Sequence, residues 1–141
     1  FRSLAETIRA SGDISKLNHT GTHPVATDLS IADAIDFYNQ MGHAKKEERL
    51  RHLQNYWTSK VRNLPHIILN TPEDPTRSCA IANVGVKRMS PTLLAETLLK
   101  KHKIFTVAID HHNVQGCRIT PNVFTTEQEL DQLVEALTQL A

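Results

Sequence analysis

The chain has few cysteines, no excess of either charge and no long apolar run, and each shortage excludes a class of protein. Its two cysteines are too few for a disulfide framework, so a reducing compartment is expected. Sixteen Lys and Arg against fifteen Asp and Glu leave a net charge of +1, which gives no electrostatic argument for nucleic acid or a membrane surface as partner. No apolar run approaches the roughly 20 residues of a membrane span.

The remaining composition is that of an average soluble globular domain, and 141 residues are enough for one hydrophobic core. The first residues carry no signal-peptide pattern, so a cytoplasmic location is expected. The chain opens at Phe1 and not at Met, which suggests a fragment or a processed product. An upstream targeting sequence therefore stays an open alternative.

Several common catalytic patterns are also missing from the sequence. No Ser-His-Asp order, Cys-x-x-Cys pair, glycine-rich nucleotide loop or paired-carboxylate pattern stands out. His111 and His112 beside Asp110 suggest a metal site, but adjacent side chains of an extended segment point in opposite directions and no third ligand has a convincing spacing. We expect a loop between strands here, and no metal.

The most informative stretch lies near the C-terminus, where Arg118 stands in a short apolar segment that is followed by Pro121. Thr126 is a good N-cap, and Glu129 completes a capping box. The apolar residues after it recur at helical spacing: Leu130, Leu133, Val134, Leu137 and Leu140. The pattern predicts a strand, a turn and a helix that hold one guanidinium on a rigid scaffold. Such an Arg binds an anion, or it stands on an edge strand in a surface ion pair.

The N-terminal half reads as helices. A short helix is predicted over residues 4–9, then a turn at 11–13 and a polar loop that runs into a helix closed by Gly42. One face of this helix is predicted to hold Val25, Leu29, Ala32, Ile35 and Tyr38. Gly21 and Thr22 precede it, and they either offer donors to an anion or form an ordinary helix start.

A second helix is predicted over residues 45–62, and Pro65 marks a domain boundary. Its apolar stripe consists of Leu50, Leu53, Trp57, Val61 and Leu64. After Pro65 the pattern predicts strands at residues 66–70, 78–86, 104–109 and 115–120, and a helix from Pro91, capped by Ser90, to residue 101. The expected product is an α+β domain in which a small sheet is covered by two helices on one side.

The segment from Arg118 to Thr126, with the helix after it, resembles the C-terminal end of class V pyridoxal-phosphate enzymes, the group that holds cysteine desulfurases and isopenicillin N epimerase-like proteins. The resemblance implies an α/β, fold type I enzyme, with residues 1–63 as the end of the large domain plus interdomain helices. Residues 64–141 would form the C-terminal small domain, with a mainly antiparallel sheet. In that family the Arg of this motif holds the substrate carboxylate, a role that falls on Arg118.

The spacing between the Gly-Thr loop and the Arg motif resembles the same family. There, the Gly-Thr pair reaches the cofactor phosphate of the neighbouring subunit, so the resemblance implies a homodimer in which Gly21 and Thr22 bind the cofactor. The Schiff-base Lys of the family, the Asp that pairs with the pyridine nitrogen and the residue that stacks on the ring all lie upstream of this loop. The chain therefore carries no catalytic residue of its own, and alone it is expected to be inactive.

The implied substrate is an amino acid, with epimerase, lyase or transaminase chemistry at pyridoxal 5'-phosphate. Cysteine desulfurase is disfavoured because Cys117 adjoins Arg118 in a strand and so faces the opposite side of the sheet. Residues 110–116 are also too few for the mobile loop that carries the desulfurase cysteine. The alternative is a freestanding α+β ligand-binding or regulatory domain without catalysis. Membership in a larger enzyme predicts that the helix closed by Gly42 exposes apolar surface in this chain.

Overall fold

The computed structural model describes residues 24–111 and 113–141. Its elements in chain order are helix α1 (Val25–Met41), helix α2 (His43–Val61), strand β1 (Ile67–Leu69), strand β2 (Ala82–Val86), helix α3 (Pro91–His102), strand β3 (Val107–His111), strand β4 (Val114–Ile119) and helix α4 (Glu127–Thr138). None of these described helices combines the length and the apolarity that a membrane crossing needs. The predicted helix at 4–9, the turn at 11–13 and the Gly-Thr loop lie outside the described residues.

The chain divides into two units, residues 1–40 and 41–141. Helix α1 belongs to the first, and none of its residues is buried. Its exposed apolar side chains include Leu29 on the predicted face, 68% exposed, and Phe37 elsewhere on the helix, 63% exposed. The helix therefore exposes apolar surface, as membership in a larger enzyme predicts. Gly42 follows with φ +78°, a backbone region that favours glycine, in agreement with its predicted role at the helix end.

Helix α2 begins two residues earlier than predicted and packs within the second unit. Leu53, Trp57 and Val61 of the predicted stripe are fully buried, whereas Leu50 and Leu64 are half-buried. The predicted boundary between residues 63 and 64 concerns the domains of a longer enzyme and stays a prediction. In the described chain, α2 shares one hydrophobic core with the residues that follow it.

Polar contacts at the exposed edge join α2 to α4. Lys60 Nζ lies 2.5 Å from Asp131 Oδ1, and the Tyr56 hydroxyl donates to the same carboxylate at 3.0 Å. The hydrogen bond from Lys60 lowers the pKa of Asp131, and the same contact raises the pKa of Lys60. His52 Nε2 lies 2.7 Å from Glu127 Oε1 one turn away. These contacts fix how the two helices lie against each other.

The four strands form one antiparallel sheet in the order β1-β2-β4-β3. Its core face carries paired apolar residues, with Val84 opposite Cys117 and Ala82 opposite Ile119. These residues share a single core with Leu94 and Leu98 of α3 and with the apolar stripe of α4, namely Leu130, Leu133, Ala136 and Leu137. The predicted small antiparallel sheet covered by helices is confirmed.

Strands β2 and β3 begin four and three residues later than predicted. Residues 104–106 do not pair because α3 ends at His102 and Lys103 adopts a left-handed conformation, with φ +61°, after which Ile104 N–H bonds to the Leu98 carbonyl. Residues 78–81 do not pair because Arg51 of α2 holds the loop, donating to the carbonyl of Ser78 at 2.5 Å. The start of β3 and the start of β2 both move toward the C-terminus for these reasons.

Candidate functional site

Arg118 lies on the face of the sheet opposite the core. Because side chains alternate along a strand, the neighbours of Arg118 in β4 point the other way: Cys117 is fully buried and Ile119 is 7% exposed. Arg118 itself is exposed and stands directly opposite Asn83 of β2 on one side and Val107 of β3 on the other. We call this side of the sheet the outer face. It consists of Ile68, Asn83, Gly85, Val107, Ile109, Gly116 and Arg118.

The surface ion pair considered for Arg118 does not occur among the described residues. Its guanidinium makes no hydrogen bond or ion pair with any of them. Strand β4 is also interior, between β2 and β3, so the edge-strand part of that interpretation is wrong. A guanidinium held on an interior strand without a partner in this part of the chain is available to an anion from outside it.

The turn after Arg118 is fixed by its own hydrogen bonds. Asn122 N–H donates to Thr125 Oγ1 at 2.9 Å, and Thr125 N–H donates back to the Asn122 carbonyl at 2.8 Å. The predicted capping box is present: Glu129 N–H donates to Thr126 Oγ1, and the Glu129 carboxylate accepts from Thr126 N–H at 2.8 Å. That hydrogen bond lowers the pKa of Glu129. Arg49 of α2 adds a bond to the Thr125 carbonyl at 3.0 Å.

Asn83, the cross-strand neighbour of Arg118, was not singled out from the sequence. Its Oδ1 accepts from Asn70 Nδ2 at 2.7 Å, and its backbone N–H donates to Thr71 Oγ1 at 2.9 Å. Its own Nδ2 is buried and has no hydrogen-bond partner among the described residues. A buried donor without an acceptor costs about 1–3 kcal/mol. The only sequence signal for it is a polar residue between the apolar Ala82 and Val84.

A glycine keeps Asn83 and β4 close together. A Cβ atom at Gly116 would lie 2.5 Å from Asn83 Oδ1 and 2.5 Å from the Val84 carbonyl oxygen, closer than real contacts allow. Gly85 on β2 is similarly restricted, since its Cβ would lie 2.8 Å from the Gln115 carbonyl oxygen. The middle of the outer face is thus bare backbone, with Arg118 projecting beside it.

Cys117 has the environment of a structural thiol. It is fully buried, its Sγ lies 3.5 Å from the Pro91 carbonyl oxygen, and burial raises the pKa of its thiol. A raised pKa leaves less of the nucleophilic thiolate. Because Cys117 lies in the core and Arg118 is exposed on the outer face, the prediction that they face opposite sides of the sheet is confirmed.

The residues considered for a site from the sequence include three that the structure does not describe. Gly21 and Thr22 lie outside the described residues, as does His112. Asp110 and His111 belong to β3 and not to a loop, so the interpretation of these two residues as loop was wrong. Within the described part of the chain, no three His, Cys, Asp or Glu side chains are grouped as metal ligands.

Comparison with known proteins gives one family. The family model for class V aminotransferases matches residues 3–133. The chain is 26% identical over 129 residues to isopenicillin N epimerase of Amycolatopsis lactamdurans, which covers 91% of this chain and 32% of that protein. It is also 26% identical over 131 residues to isopenicillin N epimerase of Streptomyces clavuligerus, covering 90% of this chain and 32% of that protein. The chain thus spans 32% of the length of these curated relatives.

A solved structure gives the fold. The crystal structure of alanine–glyoxylate aminotransferase from Nostoc sp. matches with a TM-score of 0.66 at 18% identity, covering 86% of this chain and 33% of that one. At this level of identity the likeness shows the fold alone. It confirms the predicted α/β, fold type I class, in which this chain supplies a small antiparallel sheet with its helices.

Proposed function

The chain belongs to the class V aminotransferase family, and from that membership we propose that it is the C-terminal part of a pyridoxal-phosphate-dependent enzyme acting on an amino acid. Arg118 would bind the α-carboxylate of the substrate. The observation that carries this proposal is the position of Arg118 on an interior strand, exposed on the outer face, with no partner among the described residues. The family match does not favour a freestanding binding domain.

The geometry suits a carboxylate for two reasons. A planar guanidinium donates two parallel hydrogen bonds to the two oxygens of a carboxylate, and the strand and the capped turn hold its backbone in place. The buried Asn83 Nδ2 lies on the facing residue and lacks an acceptor in the described chain. A carboxylate on Arg118 would lie on the same face of the sheet as this amide.

Pyridoxal phosphate would supply the electron sink that stabilises negative charge at the substrate α-carbon. The described outer face offers a cation and an amide, which fit the substrate carboxylate beside such a cofactor. Contact with the cofactor phosphate is proposed for Gly21 and Thr22, across a homodimer interface. By fixing the carboxylate, Arg118 would orient the substrate so that the bond to be broken at the α-carbon faces the cofactor. The 141 residues alone would be inactive.

The test uses the intact protein loaded with pyridoxal phosphate. Exchange of the substrate α-hydrogen with solvent deuterium, followed by NMR, reports the labilised α-carbon that epimerisation and transamination share. We expect Arg118→Ala to lower kcat/KM for this exchange about a hundredfold, because a charged hydrogen-bond partner of the carboxylate is lost. Arg118→Lys should lower kcat/KM about tenfold, since lysine keeps the charge but cannot donate two parallel hydrogen bonds.

The control is a substrate without the carboxylate charge. The unmodified protein should have a higher kcat/KM for an amino acid than for its carboxamide. In Arg118→Ala the ratio of the two kcat/KM values should be close to one. Lys101→Ala removes a cation from an exposed position in the last turn of α3 and should leave the preference unchanged. An undiminished preference in Arg118→Ala would exclude Arg118 as the carboxylate ligand.

A further inference from the structure

A cavity opens on the outer face beside Arg118. Its volume is about 540 Å³, and its lining includes Ile81, Asn83 and Val114 together with the loop that leads into β2. Asn83 is the residue directly opposite Arg118, so one strand spacing of about 4.8 Å separates the Arg118 backbone from the wall of the cavity. A molecule that binds Arg118 by its carboxylate can therefore extend over Asn83 into the cavity.

The loop that forms the other wall is held by Arg51 of α2 and by the sheet. Arg51 donates to the carbonyls of Pro75 at 2.6 Å and Ser78 at 2.5 Å. At the opposite end, Asn70 Nδ2 donates to the Gln115 carbonyl at 3.0 Å. Anchors on both sides give the cavity a fixed shape, as a binding site requires.

The charge of the lining is positive. Arg77 is its one charged residue, and the guanidinium makes no hydrogen bond or ion pair with the described residues. The two acids of the same loop are engaged elsewhere. Glu73 pairs with Arg62 at 2.7 Å, and Asp74 accepts from Thr76 N–H at 2.9 Å and from its hydroxyl at 2.7 Å. A ligand in this cavity therefore meets a cation that no acid of the described residues neutralises.

We propose that this cavity binds the side chain of the substrate and that Arg77 selects a side chain ending in a carboxylate, so that the preferred substrate is an acidic amino acid. The inference rests on the proposed function, because it assumes that Arg118 holds the α-carboxylate. Arg118 and Arg77 then take the two ends of one dicarboxylic molecule. Asn83 lies between them as the shared wall.

The experiment is calorimetric titration of the intact protein with two acids of the same shape, glutarate and its monoamide, which differ in the charge of one end. We expect glutarate to bind about fivefold more tightly, the size of effect that a partly exposed ion pair supports. Arg77→Gln should bring the two dissociation constants together. Ile81→Glu, which adds an acid at the exposed edge of the cavity, should make the monoamide the better ligand. Lys101→Gln is the matched control and should keep the fivefold difference.

The outcomes separate this inference from the proposed function. If Arg118→Ala binds neither acid and Arg77→Gln no longer prefers glutarate, both the proposed function and this inference are supported. Equal affinities for the two acids in the unmodified protein, or a preference that persists in Arg77→Gln, overturns the inference while Arg118 keeps its role. Undiminished binding of both acids in Arg118→Ala overturns the proposed function.

Discussion

The two faces of the sheet carry the same strands and opposite kinds of residue. On the core face, Val84 and Cys117 are fully buried against each other and against the helices. The adjacent residue on each strand, Asn83 in β2 and Arg118 in β4, faces away from that core. The alternation of a β-strand thus separates two tasks within single strands.

The two faces of the sheet should tolerate substitutions differently. Removal of a side chain from the core face leaves a void in a packed interior, whereas removal from the outer face leaves the core intact. Function on the outer face is therefore open to alteration without loss of the fold. The exception is the glycine pair, whose missing side chains let the strands and Asn83 approach each other.

A large loss of stability is expected when a valine on the core face is shortened. Val84→Ala should lower the free energy of unfolding by about 2–3 kcal/mol, because it removes two methyl groups from a fully packed site. Val107→Ala is the matched control, since Val107 lies on the outer face next to Arg118 and is 36% exposed. It should cost less than about 1 kcal/mol. Urea unfolding measures the free energy of unfolding of both variants. Equal losses of stability would show that the two faces do not differ in how much their side chains stabilise the fold.

Gly116 lies on the outer face, yet its substitution should lower stability. Gly116→Ala places a Cβ 2.5 Å from backbone and from Asn83 Oδ1, so the strands must shift, at a cost of about 1–3 kcal/mol. The same shift displaces Asn83 beside Arg118, so the affinity for glutarate should fall as well. Unfolding and titration of this variant test both effects. If Gly116→Ala matches the unmodified protein in both, the close approach has no role.

The smallest effect is expected from pH, through the exposed contacts of α4. Asp131 and Glu129 have pKa values in the folded protein below their ordinary 3.8 and 4.5. Their contribution to the stability of the fold is therefore complete above these ordinary values. It is lost as pH falls through the lower pKa values of the folded protein. The pKa of Lys60 is raised above its ordinary 10.5, and its contribution to stability disappears as pH rises through the pKa of the folded protein. Asp131→Asn should flatten the acid-side fall of the urea midpoint. If the urea midpoint of this variant falls with acid pH as steeply as before, carboxylates other than Asp131 are responsible for the decrease.

Local signals made much of this fold predictable. Ser90 before Pro91, and Thr126 with Glu129, specify helix starts through contacts within four residues, and the structure has them as predicted. Strand bounds were less predictable because Arg51, distant in sequence, holds the loop before β2. The sequence pattern also predicted that Arg118 and Cys117 would face opposite sides.

The surroundings of Arg118 could not be predicted in the same way. Which strand pairs with β4, and in which register, is decided by packing between segments far apart in the chain. Only that register places Asn83 opposite Arg118 and so brings the cavity of Arg77 to the same face. The interior position of β4 follows from the strand order, which no local motif encodes.

The division between the faces is tested most directly by two adjacent residues of β4, each measured in two ways. Unfolding free energy and affinity for glutarate are compared for Arg118→Ala and Ile119→Ala in the intact protein. We predict that Arg118→Ala changes stability by less than about 0.5 kcal/mol and weakens binding strongly. Ile119→Ala should cost about 2–4 kcal/mol and leave the affinity of the folded protein unchanged. If Arg118→Ala destabilises the fold and leaves glutarate binding intact, the two faces do not divide stability and binding between them.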